Sequence, residues 1–364
     1  MLKIPKKWRE LPLEERTNKI VELFGISKKT INKIRNIRDK KIKLIASAKI
    51  QYQMFGEIHS YLTCWIAGYG SDVEVRNVFG STHALRSIFI KFARVKGIEY
   101  SWQDIKRGVK IPEKITPLLA EETGIHLGDG CLYLYIDNNG YKSYRYSITG
   151  NLIDEEPYHT NYIAKILFQL YNLKPRFLIR PNQNSIDTTV GSKAIFQFKS
   201  KILGLPSGSK KYASIPLAIL QNNELSKRCL VGIFDTDFNI TEHLAISGKI
   251  HSINVTRQIH EILLRNNIKH IYKEYADYGR FYISKNYAKI IVKEWEMHNL
   301  KHLTKFEVFE KFGKFIPFTT TPERISLLNG SLSLEELEKI SEKRKNINDS
   351  ARTRTSDPTV SLNP

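Results

Sequence analysis

Apolar and polar positions along this chain follow two rhythms, one helical and one strand-like, and the rhythms succeed each other in the same order twice. An apolar run from about residue 118 has helical spacing and ends in Gly124-Ile125-His126-Leu127-Gly128-Asp129-Gly130, an acidic stop followed by glycine. Residues 131–137 and 142–149 then alternate with period two around Asn138-Asn139-Gly140, the composition of a hairpin turn. A helix is expected over 155–172, a second hairpin over 176–180 and 185–190, and a helix capped by Ser192 through Ile202. This half reads helix, two strands, helix, two strands, helix.

After a connector rich in glycine and lysine, Leu203-Gly204-Leu205-Pro206-Ser207-Gly208-Ser209-Lys210-Lys211, the order returns. Gly232-Ile233-Phe234-Asp235-Thr236-Asp237-Phe238 repeats the first motif, followed by a helix over 253–265, strands over 269–275 and 280–284, and a helix over 285–297. Asn172-Leu173-Lys174 recurs as Asn267-Ile268-Lys269, and Ser192-Lys193 as Ser284-Lys285. One part is short: residues 238–247 must supply both strands of a stunted hairpin, or only one. The expected fold is α+β, with two pseudo-symmetric αββαββα halves at 111–216 and 217–322.

In each motif a glycine is followed four residues later by a small residue, Gly128 or Thr236, and then at once by an aspartate. Glycine and a small residue at i and i+4 share a helix face and let two helix backbones approach closely. Helices packed on such faces would bring Asp129 and Asp237 together, and paired carboxylates suit hard divalent cations, which take oxygen ligands. One motif alone reads equally well as a helix stop with Gly130 as its cap. Two in register make coincidence a poor explanation.

Charge narrows the partner. The chain of 364 residues carries 57 Lys and Arg against 37 Asp and Glu, a net +20, which favours a polyanion. Residues 1–110 are basic and helical in pattern, and 17–34 has helix-turn-helix character: Gly25 at the turn, Ser27 as cap, Ile31 and Ile34 inward. Lys28, Lys29, Asn32 and Lys33 would then face DNA. A weaker example spans 73–92. On the strands, Ser143, Arg145, Ser147 and Thr149 share one face, with Arg176, Arg180 and Arg280 on neighbouring strands as further candidate DNA contacts. Lys210 and Lys211 in the connector are candidate phosphate contacts.

Other classes fall away. Cys64, Cys131 and Cys229 are too scattered for a zinc motif and suit a reducing cytoplasm. No apolar run is long enough to span a membrane, and no secretory signal follows Met1. No His-Asn junction of an intein precedes the end at Ser361-Leu362-Asn363-Pro364. Residues 323–364 begin as a charged helix, and the tail from Ser350 is expected to be disordered.

The two motifs, the repeated element order and the lysine connector ending at Ile215-Pro216 resemble the LAGLIDADG homing endonucleases in their single-chain, two-repeat form, over residues 112–322. The resemblance implies two αββαββα halves with the motif helices at the centre and two sheets forming a saddle over double-stranded DNA. It implies hydrolysis of two phosphodiester bonds at a long asymmetric target by a monomer that uses magnesium, with manganese as a substitute. By motif position Asp129 and Asp237 would be the metal carboxylates, the carbonyls of Gly128 and Thr236 auxiliary ligands, and Asp235 structural. At the ends of the second strands, Gly150-Asn151 and Gly248-Lys249 would supply the polar or basic groups, Asn151 and Lys249 acting beside the aspartates. Two departures point the other way: Phe238 replaces the closing glycine of the second motif, and the hairpin after it is short. The alternative is a cleavage-deficient DNA-binding regulator, or an RNA-binding splicing maturase acting on intron RNA.

Overall fold

The computed structural model of the chain describes residues 98–355 together with residues 12, 14, 15, 18, 94 and 95; at 94, 95, 102 and beyond 347 it describes the backbone only. The helix-turn-helix readings over 17–34 and 73–92, with Lys28, Lys29, Asn32 and Lys33, lie outside these residues, as does the tail from 356. The chain divides into two compact units, Met1–Ile111 with Ser192–Ile202, and Pro112–Gly191 with Leu203–Pro364.

In the first unit a short antiparallel pair, Arg94–Val95 with Ile98–Glu99, precedes the helix Trp102–Arg107. Ser101 and Asp104 form a reciprocal capping box at that helix, satisfying two of its orphan amides. Asp104 also accepts the amide of Ala194, and Lys193 donates to Glu99 at 2.5 Å. These contacts seat the helix Lys193–Gln197, itself capped by Ser192 as its sequence implies.

The second unit holds both motifs. Its first half runs α1 (Pro117–Gly128), β1 (Gly130–Ile136), β2 (Lys142–Asn151), α2 (Leu152–Pro157), a π-helical turn (Tyr158–Ile163), α3 (Ala164–Tyr171), β3 (Arg176–Arg180) and β4 (Ser185–Gly191). After the connector and α4 (Leu217–Leu220), the second half runs α5 (Asn223–Asp237), β5 (Phe238–Ile240), β6 (Ile246–Ile250), α6 (Ile253–Arg265), β7 (Ile271–Glu274), β8 (Gly279–Ile283) and α7 (Lys285–Lys293). Both sheets are antiparallel and share one strand order, β1-β2-β4-β3 and β5-β6-β8-β7. With the Ser192-capped helix counted in chain order, each half is αββαββα. The expected fold is present.

Local chemistry sets the two central helices. Thr116 caps α1 through the amide of Leu119, with Pro117 at the first helical position, and Asn222 caps α5 through the amide of Leu225. From Leu119 onward every residue of α1 is buried, so this helix is interior on all sides. The inner faces of the sheets supply the surrounding core: Leu132, Tyr146, Ile148, Ile186 and Val190 in one half, Ile240, Ile246, Phe281 and Ile283 in the other. Each such burial contributes on the order of 1.5–3 kcal/mol.

Several boundaries differ from the sequence reading. The short hairpin does form both strands, because a type of tight turn closes it: Thr241 donates its amide to Ala245 and Leu244 adopts φ 54°. The helix over 285–297 stops at Lys293, and β7 begins at Ile271 rather than 269. Phe238 points into the core. It starts β5 in extended conformation (φ −102°, ψ 169°) and is buried among Phe234 and Phe281 at ring separations of 4.7 and 6.0 Å.

Beyond α7 the chain adds α8 (Leu300–Phe312), α9 (Thr321–Leu328) and α10 (Leu334–Thr355) around a small core of Val308, Ile316, Leu327 and Leu337. This extension is tied to both halves. Asp154 of α2 accepts the amide and hydroxyl of Thr321 at 2.6 and 2.9 Å, while Lys305 of α8 donates to Asn239 and Ile240 of β5 at 2.7 and 3.1 Å. Helix α10 continues to Thr355, past Ser350 where disorder was expected; arginine and alanine favour helix and no breaker occurs before Pro358. No helix among the described residues is long and apolar enough to cross a membrane.

Candidate metal and nucleic-acid site

The approach of α1 and α5 is close enough to exclude side chains. A methyl added to Gly124 would lie 1.9 Å from the carbonyl oxygen of Cys229, and one on Gly232 would lie 2.2 Å from that of Glu121. At the end of the same seam, a methyl on Gly128 would lie 1.9 Å from Oγ1 of Thr236 and 3.6 Å from Cγ of Asp237. The Thr236 hydroxyl turns back to donate to the Gly232 carbonyl at 2.8 Å. The small-residue seam therefore does what its spacing predicts: it delivers Asp129 and Asp237 to one spot.

That spot is electrostatically costly. Both carboxylates sit at helix C-termini, where the exposed carbonyls already concentrate negative partial charge. Burial, then the charge of Asp237, then that of Glu155 push the Asp129 carboxyl up to about 7. Burial likewise raises Asp237, against the pull of Lys210, His251 and Lys301. A cation is needed here, and a protein cation is present: the Lys210 ammonium donates to the Gly128 carbonyl and is attracted by both aspartates. Burial lowers its own pKa, and Asp237 and Asp129 oppose that. Lys210, expected as a phosphate contact in the connector, is half-buried at the site, while Lys211 is exposed beside Tyr212. The two carboxylates and the Gly128 carbonyl form an oxygen-rich set that fits a hard divalent cation, with the Lys210 ammonium offsetting their negative charge.

A cavity of about 480 Å³ opens on the Asp237 side, lined by Gly128, Lys210, Asp237, Lys249, His251 and, at its exposed rim, Asp277. Lys249 is exposed and its ammonium lies 3.9 Å from the ring centre of Tyr278, which stacks on Tyr275 at 4.5 Å. The sheet register corrects the assignment of strand ends. Gly130 pairs with Ile148 and Phe238 with Gly248, so the counterpart of Asn151 is His251, two residues beyond Lys249. The shortened hairpin hides this offset in the sequence.

Asn151 has a different occupation. Its side chain caps α2 by accepting the Asp154 amide at 2.9 Å, and its own amide donates to Glu155 at 2.8 Å. The groups that reach toward Asp129 are Glu155 and Lys301, themselves paired at 3.3 Å. Neither stands out in the sequence, since one lies in an ordinary helix and the other in the C-terminal extension; only the packing of α8 against α2 brings them in. His251 at the cavity and Glu155 beside Asp129 carry no signal in the sequence that marks them for the site.

The other expected DNA contacts lie on the sheets. Ser143 and Arg145 are exposed on β2, with the Arg145 guanidinium 5.6 Å from the Tyr133 ring, and Arg176 on β3 and Arg280 on β8 are exposed as well. Ser147 is bonded to Thr189 at 3.2 Å, while Thr149 donates to Asp187 at 2.7 Å and Arg180 pairs with the same carboxylate. Thr149 and Arg180 thus hold each other's strands together through Asp187.

Asp235 is structural, as its motif position implied. Its carboxylate accepts the amides of His298 and Asn299 at 2.9 and 3.1 Å, seating the start of α8, and burial pushes it up to about 7. Glu121, Asp235 and His298 bring ligand-type atoms within 4.8 Å of one another. Glu121, however, already receives Tyr162 at 2.5 Å and the Arg228 guanidinium, so donors occupy the place a cation would take.

No protein-family model matches the chain, and no curated protein does. Among solved structures it is similar to I-DmoI in complex with DNA and manganese, at 16% identity and a TM-score of 0.39 over 50% of this chain and 98% of that one. It is also similar to I-SmaMI bound to uncleaved DNA target in the presence of calcium ions, at 12% identity and a TM-score of 0.37 over 65% of this chain and 99% of that one.

Proposed function

We propose that this chain is a metal-dependent, site-specific DNA endonuclease of the LAGLIDADG homing type. The observation that carries the reading is the meeting of Asp129 and Asp237 at the negative ends of two helices, Asp129 half-buried and Asp237 at the cavity, with the Lys210 ammonium against the Gly128 carbonyl. Nothing in packing rewards two carboxylates there; a cation and a phosphate do. A divalent ion held by Asp129, Asp237 and the Gly128 carbonyl would lower the pKa of a bound water and offset charge on the phosphate, with magnesium the expected ion.

The chain's own groups supply the rest. Hydrolysis joins a water oxygen to phosphorus, breaks the phosphorus–sugar oxygen bond and leaves a proton on the departing oxygen. Lys210 and Lys249 would present ammonium groups, and His251 a ring nitrogen, to a phosphate in the cavity, where such groups count for more than in bulk water. The exposed polar faces of the two sheets, Ser143, Arg145, Arg176 and Arg280 among them, would position the duplex. With two halves in one chain, a monomer on a long asymmetric target is the expected complex, and intron homing the expected biology. The regulator or maturase reading loses the support it drew from Phe238, which faces the core.

The test is cleavage of a randomised duplex library by the purified protein, with magnesium and with a chelator, followed by sequencing of the ends. Cuts that need the metal and share a long asymmetric sequence are expected. Specific binding without cutting in magnesium or manganese would move the function to the regulator or maturase.

A further inference from the structure

The Lys210 ammonium engages the same oxygens that a divalent cation would use. It donates to the Gly128 carbonyl, and both Asp237 and Asp129 attract it. An ammonium and a metal ion cannot share these groups, because they compete for the same lone pairs and repel each other at one spot. The backbone that carries Lys210 is fixed on either side. Ser207 and Gly208 donate to the Leu132 carbonyl of β1 at 3.0 and 2.9 Å. Ala213 donates its amide to the Lys210 carbonyl at 2.9 Å, and its own carbonyl accepts the Ser252 hydroxyl at 2.6 Å. Freedom to move therefore belongs to the flexible four-carbon side chain. It has somewhere to go: the cavity of about 480 Å³ lies beside it, with Lys211, Lys249 and His251 lining the same space.

We propose that Lys210 is an internal counter-cation that must leave the acidic pair before a metal can bind. In the metal-free protein its ammonium offsets the charge of Asp129 and Asp237. On metal binding the side chain leaves the Gly128 carbonyl and turns into the cavity, where a phosphate would meet it. The inference rests on the metal site of the endonuclease reading and adds a competition to it. Lys210 holds metal affinity down in the DNA-free protein, and a phosphate in the cavity relieves that by offering the ammonium another partner. Metal and DNA then favour each other's binding, and by linkage the effect is reciprocal.

The test needs no cleavage. Manganese affinity of the DNA-free full chain is measured by calorimetry for the unaltered protein, Lys210→Met and Lys210→Arg. Loss of the charge in Lys210→Met should tighten binding by about tenfold or more, whereas Lys210→Arg, which keeps the charge, should bind as weakly as the unaltered chain. A lysine that only supports the fold or the carboxylates gives the opposite sign, because its loss leaves metal binding unchanged or weaker. A second measurement uses the unaltered protein alone. Reductive methylation, read residue by residue by mass spectrometry, should reach Lys210 faster in saturating magnesium than in a chelator, with the exposed Lys343 of α10 unchanged. Equal or weaker manganese binding by Lys210→Met, no binding by any of the three, or Lys210 reactivity that magnesium does not raise would overturn the inference. The endonuclease reading is judged separately, by the cleavage library.

Discussion

Asp129 shows at a single residue how a site is kept ready at a cost. Its folded pKa of about 7 lies above the ordinary 3.8, so between those values the folded protein holds a proton that the unfolded chain has lost. Stability contributed by that proton is present at low pH and is lost as pH rises through about 7. Asp129→Asn should therefore stabilise the metal-free protein by roughly 2 kcal/mol at about pH 8, and the gain should fade toward about pH 4, as denaturant unfolding in a chelator would read. Magnesium should narrow the difference by stabilising the unaltered protein alone. A gain independent of pH would assign the effect to packing rather than charge.

At the scale of elements, the halves solve one packing problem in two ways. In the first, Gly130 faces Ile148 across the strand pair; in the second, Phe238 faces Gly248, whose added methyl would lie 2.5 Å from the Phe238 ring. The bulk has changed strands. Phe238→Ala should cost about 3–5 kcal/mol, and adding Gly248→Ile should restore part of it, a coupling that a double-mutant cycle measures. Additive losses would mean the two positions do not share one volume. This exchange also explains what the sequence could and could not say. The motif helices, their glycine seam and the repeated αββαββα order were legible because local spacing encodes them. Phe238 stood out as a departure from the motif because its compensating glycine, Gly248, lies across a hairpin. The sequence singles out Lys249 but not His251, because the pairing register, not the count of residues, decides which side chain is the counterpart of Asn151. Glu155 and Lys301 left no local signal at all, since their approach to Asp129 exists only once α8 has packed on α2.

The whole molecule joins a central acidic pair to a chain of net charge +20. On the proposed reading the two are complementary: the excess of lysine and arginine would draw in a polyanion, and the aspartates would act once its phosphates arrive with a metal. Affinity for DNA should fall by about 10³ or more between roughly 50 and 200 mM salt, as expected when several phosphates are neutralised. A salt-independent affinity would contradict a backbone-tracking saddle. The C-terminal helices belong to this frame: Asn299 bonds the Asp235 carbonyl at 2.7 Å and Glu155 at 2.9 Å, clasping the two halves just behind the site.

The most direct measurement of the central claim compares binding and cutting of one recovered target by the unaltered chain, Asp129→Asn and Asp237→Asn. The account predicts that all three bind in a chelator with similar affinity, and that only the unaltered chain cuts when magnesium is added. Cutting that survives both substitutions would show that the paired carboxylates are not the hydrolytic centre.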